Sequence, residues 1–250
     1  MTPFARYFDR VAVINLPSRP DRLKSIISEL TALGFDRTCI HIPDAPIPQD
    51  NGGFPSRGVY GNFLSHLGIL KDARAAGARR VLVLEDDAIF SRDAGLPAMQ
   101  EKFIAVAEQF DWAMWFLGHS ISAGIRSEPQ SAVPTTAEFI WAHAYAVRDE
   151  SLSELIKFMD EMIAQPEGHR WPKMYIDGAF YHYRAEVTTK VCLASNPAIS
   201  VQKGSDSNLA GPSEPGRLRL HQYPKYLARR LRDSLWRWTH IHLIQDPHRK

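Results

Sequence analysis

The chain is poor in cysteine and has no long apolar run, and these absences exclude several classes of protein. Its two cysteines, Cys39 and Cys192, lack metal-binding spacing, so we predict buried thiols in a reducing compartment rather than a disulfide framework. The first ten residues contain no apolar segment of signal-peptide length, and no run reaches the length of a membrane span. The sequence therefore predicts a cytoplasmic protein.

The chain also lacks a strong net charge. Its value is +2, but positive and negative residues are unevenly distributed along the chain. From residue 217 onward, nine Lys or Arg stand against two Asp, a net of +7, which leaves −5 for the rest of the chain. Within 223–244, arginines alternate with leucines and a tryptophan, a pattern typical of a helix lying in a membrane interface. We predict two units, 1–210 and a basic amphipathic tail, 211–250.

The predicted partner of this tail is an anionic membrane surface, which would place the protein on the inner face of a membrane. The alternative is a helix that docks on a partner subunit. No nucleic acid is expected as a partner.

Apolar periodicity alternates between strand and helix along the body of the chain. Predicted strands are 10–15, 38–42, 81–84, 112–117, 139–147 and 187–194, and predicted helices are 21–33, 58–76, 97–110, 151–164 and 174–183. The segment 43–57, dense in Pro, Gly and Asp, is predicted to be a long functional loop. This alternation predicts an α/β fold, with a mixed sheet covered by helices on both faces.

The most informative segment is the apolar run 81–84, which is followed directly by Glu85, Asp86 and Asp87. Adjacent carboxylates at the end of a buried strand repel one another and are costly to desolvate, and a divalent cation such as Mn²⁺ or Mg²⁺ would compensate them. Alternation along a strand puts Glu85 and Asp87 on one face, which makes them the predicted metal ligands. Asp86 would then face the donor or the opposite side. The alternative is a solvated acidic loop.

Together with this segment, five other stretches resemble glycosyltransferase family 25, which contains bacterial lipooligosaccharide (LPS) galactosyltransferases and collagen galactosyltransferases. The matching stretches are 13–23, 61–66, 81–87, 143–145, 175–178 and 201–207. The resemblance implies a GT-A-like (Rossmann-like) fold and a metal held by a DXD-like element. It also implies a nucleotide-sugar donor, typically UDP-galactose, and a saccharide acceptor, which the basic tail suggests is lipid-linked.

Donor-binding residues are expected around the turn after the first strand. A planar guanidinium of Arg19 or Arg22 would grip phosphate or ribose oxygens, although Arg22 could equally be a solvated residue of the first helical turn. Asn15 and Leu16 could line the pocket for the base. Asp86 completes the predicted donor contacts on this side.

Two further sites lie on predicted helices. Ser65 and His66 are expected to contact the donor, the alternative for His66 being a core histidine. Asp177 is the predicted catalytic base, because inverting sugar transfer needs a carboxylate to accept the proton of the acceptor hydroxyl; the alternative is an acidic residue at a helix start. His143, His182 and Asp206 could supply additional metal or phosphate contacts.

The leading functional hypothesis is a metal-dependent hexosyltransferase acting on an LPS-type acceptor. A nucleotidyltransferase or phosphohydrolase with the same acidic site is a second enzymatic hypothesis. A sugar-nucleotide-binding module that has lost its catalytic residues is the non-enzymatic one.

Overall fold

The computed structural model describes residues 1–119, 131–134, 141–166 and 168–203. The helices are α1 (Pro3–Tyr7), α2 (Pro20–Ala32), α3 (Arg57–Ala75), α4 (Pro97–Ala107), α5 (Asp149–Ala164) and α6 (Ile176–His182), which a π-helical turn continues to Val187. The strands are β1 (Arg10–Ile14), β2 (Ile40–His41), β3 (Arg80–Glu85), β4 (Ala88–Phe90), β5 (Trp112–Phe116), β6 (Ser131–Pro134), β7 (Ala144–Arg148), β8 (Val191–Asn196) and β9 (Ser200–Gln202).

Seven strands form a mixed sheet in the order β2-β1-β3-β7-β5-β8-β6, and β4 pairs with β9 in a small antiparallel sheet. Strands β2, β1 and β3 are parallel, whereas β7 is antiparallel to its neighbours β3 and β5. The carboxyl ends of β1 and β3 therefore meet the start of β7 at one edge, where open α/β sheets usually bind ligands.

Helices cover both faces of the sheet, and β3 shows why. Val81 and Val83 point into a core shared with α3, α5 and α6, while Leu82 and Leu84 point into a core shared with α1, α2 and α4. We call these two sides the α3 face and the α2 face. The expected fold class, a mixed α/β sheet with helices on both faces, is confirmed.

Local signals explain where the main helices begin. Proline occupies the first turn of α2 and of α4, where its missing N–H costs nothing. The hydroxyl of Ser56 caps α3 by accepting a hydrogen bond from the Val59 N–H at 3.2 Å. The loop before this cap matches the predicted loop over 43–57.

Some predictions are corrected. Cys39 is exposed, because a short 3₁₀ turn carries it to the surface before β2, whereas Cys192 is buried as predicted. The last long strand begins at Val191 rather than at 187, because the π-helical turn extends the preceding helix. None of the described helices is long and apolar enough to cross a membrane. The predicted tail, the boundary at 210 and Asp206 lie outside the described residues.

Candidate active site

The three carboxylates at the end of β3 are mostly buried and point in two directions. Glu85 is the last residue of β3, and its N–H donates to the His143 carbonyl at 2.9 Å. Asp86 and Asp87 follow in the turn that leads into β4, with side chains only 10% and 11% exposed. The prediction of a solvated acidic loop is therefore wrong, and each charge needs compensation within the protein or from a ligand.

Asp86 faces the α2 side and is fully paired. One of its oxygens accepts a hydrogen bond from Asn15 Nδ2 at 2.8 Å, and the other pairs with an Arg22 guanidinium nitrogen at 2.9 Å. The same Arg22 nitrogen lies 3.6 Å from Asp87 Oδ2. Asp86 thus joins the turn after β1 to the turn after β3, and both of its oxygens are engaged by these partners.

Glu85 and Asp87 share a partner, although Asp87 lies beyond the end of β3 and is also near Arg22. Gln202 Nε2, at the end of β9, lies 3.5 Å from Glu85 Oε2 and 3.2 Å from Asp87 Oδ2. The pairing of β4 with β9 brings Gln202 to this position. The amide bridges the two carboxylates but cannot neutralise them.

Glu85 is held from the α3 side by a buried polar chain. Its Oε1 faces two donors of α3, Asn62 Nδ2 at 3.1 Å and His66 Nε2 at 3.4 Å. The other ring nitrogen of His66, Nδ1, lies 2.9 Å from the hydroxyl of Tyr145 on β7. Burial alone would raise the pKa of Glu85, but the hydrogen bonds from His66 and Asn62 hold that pKa below its ordinary value.

Asp87 is the carboxylate with the least compensation. Burial, and then the negative charge of Glu85, raise the pKa of Asp87 to about 7 against the weaker opposing effect of Arg22. Its Oδ1 is buried and has no hydrogen-bond partner among the described residues. An unpartnered oxygen beside a second carboxylate is the arrangement that a bound cation would satisfy.

The donor set suits a cation that shares its ligands with a substrate. Among the described residues, no group of three or more His, Cys, Asp or Glu side chains is placed to hold a metal. Mg²⁺ is commonly bound through one or two carboxylates together with substrate phosphates, and Mn²⁺ accepts the same oxygen ligands. Glu85 and Asp87 fit such a site.

Asp177 lies in the first turn of α6 on the same side as Glu85. Burial, and then the charge of Glu85, raise the pKa of Asp177 to about 7, while a hydrogen bond from the Ala142 N–H works in the opposite direction. A carboxylate with a pKa near neutrality can accept and release a proton under physiological conditions. Its placement therefore permits the predicted role as a base.

A cavity of about 330 Å³ opens beside the acidic strand end. Its walls are Ile14 at the end of β1, the loop 43–46 after β2, and one side of α3, including Ser65 and Ile69. Ile14 is the register partner of Glu85. The cavity and the carboxylates therefore occupy the ends of neighbouring strands.

The other predicted donor-binding residues are distributed around this edge. Leu16 begins the turn in which its carbonyl accepts the N–H of Arg19 at 2.8 Å. Arg19 is partly exposed and pairs with Asp21 at 3.1 Å, in contrast to the buried Arg22. Ser65 lines the cavity, and its hydroxyl donates to the Gly61 carbonyl within α3.

The predicted donor contact of His66 is corrected, because its side chain has no exposed surface and touches Glu85 and Tyr145 instead. His143 is also completely buried, and burial lowers its pKa to about 4, so that it is neutral. His182 is partly exposed and makes a hydrogen bond to Glu186 at 2.6 Å, one helical turn further along the chain.

Sequence reasoning missed two residues that contact the acidic pair. Asn62 lies four positions before His66, so helical spacing could have placed both on one side of α3. Gln202 had no such signal, since it reaches the site only through pairing between two three-residue strands.

Comparisons with known proteins agree with the resemblance seen in the sequence, although no family model matches the chain. The chain is 29% identical over 235 residues to the human protein "Inactive glycosyltransferase 25 family member 3", which covers 83% of this chain and 38% of that protein. It is 24% identical over 173 residues to mouse procollagen galactosyltransferase 2, covering 60% of this chain and 27% of that protein. The chain thus spans less than two fifths of the length of these relatives.

Solved structures with similar architecture are more distant. One is a glycosyltransferase involved in glycosylation of the major capsid of PBCV-1, with a TM-score of 0.47 and 8% identity, covering 80% of this chain and 95% of that one. Another is the mannose-1-phosphate geranyltransferase of Thermus thermophilus, with a TM-score of 0.39 and 15% identity, covering 74% and 72%. The similarity to family 25 therefore rests on the sequence relatives, which confirm that the chain is similar to the glycosyltransferases of this family.

Proposed function

We propose that the chain is a metal-dependent glycosyltransferase that moves a hexose from a UDP-linked donor to a saccharide acceptor. Galactose is the hexose we propose. The observation that carries the proposal is the pair Glu85 and Asp87, which present oxygens to one side while Asp87 Oδ1 has no partner among the described residues. The similarity to procollagen galactosyltransferase 2 supports the choice of galactose.

Glu85 and Asp87 would hold Mn²⁺ or Mg²⁺, and the bound cation would supply charge neutralisation for the departing diphosphate. Arg22 adds positive charge at the same edge and is fixed there by Asp86. Arg19 stands nearer to solvent and would contact the outer phosphate or the ribose. Asn15 orients this turn through Asp86 and through the Arg19 carbonyl.

The cavity beside Ile14 would accept the nucleoside of the donor. It is enclosed mainly by apolar side chains, with Ser65 and Asp72 as polar groups on its α3 wall. A largely apolar cavity with a few polar groups is typical of a site for a small organic ligand. Its position next to Glu85 would leave the diphosphate close to the carboxylates.

Asp177 would accept the proton of the acceptor hydroxyl as that oxygen attacks the anomeric carbon. A base must be deprotonated to act, so the rate is expected to rise with pH through the pKa of Asp177. The acceptor is proposed to be a saccharide, and an LPS-type, lipid-linked acceptor follows only from the family resemblance and the basic tail.

One observation favours a second function. The human relative carries the word "inactive" in its name, and binding of a sugar nucleotide without turnover is the corresponding function for this chain. The retained carboxylates Glu85, Asp87 and Asp177 favour the enzyme.

A panel of nucleotide sugars, assayed for donor hydrolysis and for transfer with and without Mn²⁺, tests the proposal. We expect turnover of a UDP-hexose that is lost on chelation and in Asp87→Ala. Turnover that survives both changes would contradict the metal site. Donor binding without any turnover would support the binding module, and consumption of the nucleotide without sugar transfer would support a phosphohydrolase or nucleotidyltransferase.

The role of Asp177 is tested separately. Asp177→Asn is expected to bind the donor with unchanged affinity, measured by calorimetry, and to lose transfer. Unchanged transfer would exclude Asp177 as the base.

A further inference from the structure

His66 is the most deeply buried polar residue that contacts the acidic pair. Its side chain has no exposed surface, its ring stacks on Tyr145 with 5.6 Å between centroids, and the edge of Phe180 lies 6.1 Å away. A ring enclosed in this way cannot touch a donor or an acceptor. Its polar contacts are with Glu85 and Tyr145.

The two carboxylate oxygens of Glu85 have different contacts. Oε1 faces Asn62 Nδ2 at 3.1 Å and His66 Nε2 at 3.4 Å, whereas Oε2 has, within the described part of the chain, only the long contact of 3.5 Å with Gln202 Nε2. Fixing Oε1 from the α3 side therefore fixes the direction in which Oε2 is presented. We propose that Tyr145, His66 and Asn62 form a buried hydrogen-bonded chain that positions Glu85 to bind a divalent cation.

This inference rests on the proposed metal-dependent function, and it adds Tyr145, His66 and Asn62 to the proposed metal site as positioning residues. With a neutral ring, both contacts of His66 are satisfied when the Tyr145 hydroxyl donates to Nδ1 and the ring carries its hydrogen on Nε2. That hydrogen points at Glu85 Oε1. Partners that orient a metal ligand in this way typically change metal affinity by about 10- to 100-fold.

The same core provides a matched control. Tyr183 is fully buried in the core of the α3 face, and its hydroxyl donates to Glu154 at 2.7 Å. Tyr183→Phe therefore deletes a buried, carboxylate-bonded hydroxyl from the same core, but the carboxylate belongs to α5 and not to the acidic pair. A purely structural role for Tyr145 would make the two variants alike.

The experiment titrates the full-length protein with Mn²⁺, alone and with UDP, and follows free Mn²⁺ by electron paramagnetic resonance. Tyr145→Phe and His66→Leu are expected to weaken Mn²⁺ binding by about 10-fold or more. Tyr183→Phe should remain within about 2-fold of wild type. His66→Gln, which keeps an N–H donor near the position of Nε2, should recover most of the affinity. Chemical unfolding of each variant shows whether it is folded.

The possible outcomes distinguish a failure of the positioning chain from a failure of the proposed metal site. If wild type binds Mn²⁺ and Tyr145→Phe binds it equally well, the positioning chain is refuted while the metal site stands. Equal weakening by Tyr183→Phe would also refute it, because the effect would then be one of general packing. If wild type binds no Mn²⁺ with or without UDP, both the metal-dependent function and the positioning chain fail.

Discussion

At the end of β3, the two faces of the sheet compensate buried carboxylates to different extents. On the α2 face, Asp86 pairs with Arg22 and Asn15, and the buried Gln100 accepts from the Phe4 N–H and donates to the carbonyls of Leu33 and Ala94. Asp177 on the α3 face and the neighbouring Asp87 are less well compensated. Burial, and then the charge of Glu85, raise the pKa values of both carboxyl groups to about 7.

The difference arises within a single strand end. Glu85 and Asp86 are adjacent, yet one contacts α3 and the other contacts α2. Folded proteins normally satisfy their buried polar groups, and exceptions concentrate at functional sites. The comparison therefore teaches that the α2 face satisfies Asp86 within the fold, whereas Asp87 and Asp177 carry charge that a ligand would complete.

The largest effect in this comparison is expected from substituting Asp87, the carboxylate with the least compensation. Asp87→Asn is expected to lower the rate of transfer by about 10³-fold, because losing a metal ligand costs several kcal/mol of transition-state stabilisation. The free energy of unfolding of the metal-free protein at pH 8 should stay the same or rise, since a buried charge is removed whose Oδ1 has no hydrogen-bond partner among the described residues. Steady-state kinetics and chemical unfolding measure the two effects.

Asp86→Asn is the matched control on the α2 face. It leaves the buried Arg22 without its closest partner and should lower the free energy of unfolding by about 2 kcal/mol. If Asp87→Asn destabilised the protein as much as Asp86→Asn, the proposed difference between the faces would be wrong.

A large effect on stability alone is expected from the α2 core. Trp115 is fully buried among Phe4, Tyr7 and Phe103, and its indole N–H donates to Ser195 Oγ at 3.0 Å. Trp115→Ala should lower the free energy of unfolding by about 3–5 kcal/mol through lost burial and an unfilled cavity. Chemical denaturation measures this loss. The KM of the folded fraction for the donor should not change, and a changed KM would show that this core also shapes the site.

Much of this fold could be predicted from apolar periodicity, because its long elements each repeat their pattern several times. The predicted helix over 58–76 is observed as Arg57–Ala75, and the predicted strand over 112–117 as Trp112–Phe116. Strands β4 and β9 were missed, since three residues are too few to show alternation. Their pairing depends on contacts between segments more than a hundred residues apart.

The site could be predicted only in part for the same physical reason. The expectation that Glu85 and Asp87 lie together follows from local geometry, and both carboxylates contact Gln202. The partners of Asp86 come from the turn after β1 and from α2, and those of Glu85 come from α3 and β9, so no local pattern contains them. Whether the pair binds a metal and Asp177 acts as a base stays a prediction.

A smaller effect, on pH dependence, would sharpen the contrast between the faces. In the metal-free protein, folded Asp177 keeps its proton up to about pH 7, whereas the ordinary value is 3.8. Between these values the folded state binds more protons than the unfolded state, so the free energy of unfolding should fall as pH rises, and the fall should end above about pH 7. Asp87 contributes a fall in the same direction.

Asp177→Asn is therefore expected to remove part of this slope, measured by chemical unfolding at a series of pH values. Asp160→Asn, which changes an exposed carboxylate paired with Lys71, is the control and should keep the slope of the wild type. An unchanged slope in Asp177→Asn would mean that Asp177 titrates like an ordinary carboxylate.

The smallest effect is expected at the solvent-exposed rim of the site, where the two arginines of the turn differ. Arg22 is committed to Asp86, whereas Arg19 is held by the exposed carboxylate of Asp21 and remains accessible to a ligand. Arg19→Ala should leave the unfolding midpoint unchanged, because exposed ion pairs contribute little, and should weaken donor affinity several-fold. Asp21→Asn releases the guanidinium but keeps its charge, and it should bind the donor at least as well as wild type. Calorimetry with UDP measures both variants. If Arg19→Ala and wild type bound UDP with equal affinity, Arg19 would not belong to the donor site. Arg22 would then be the arginine of that turn that contributes positive charge next to the acidic pair.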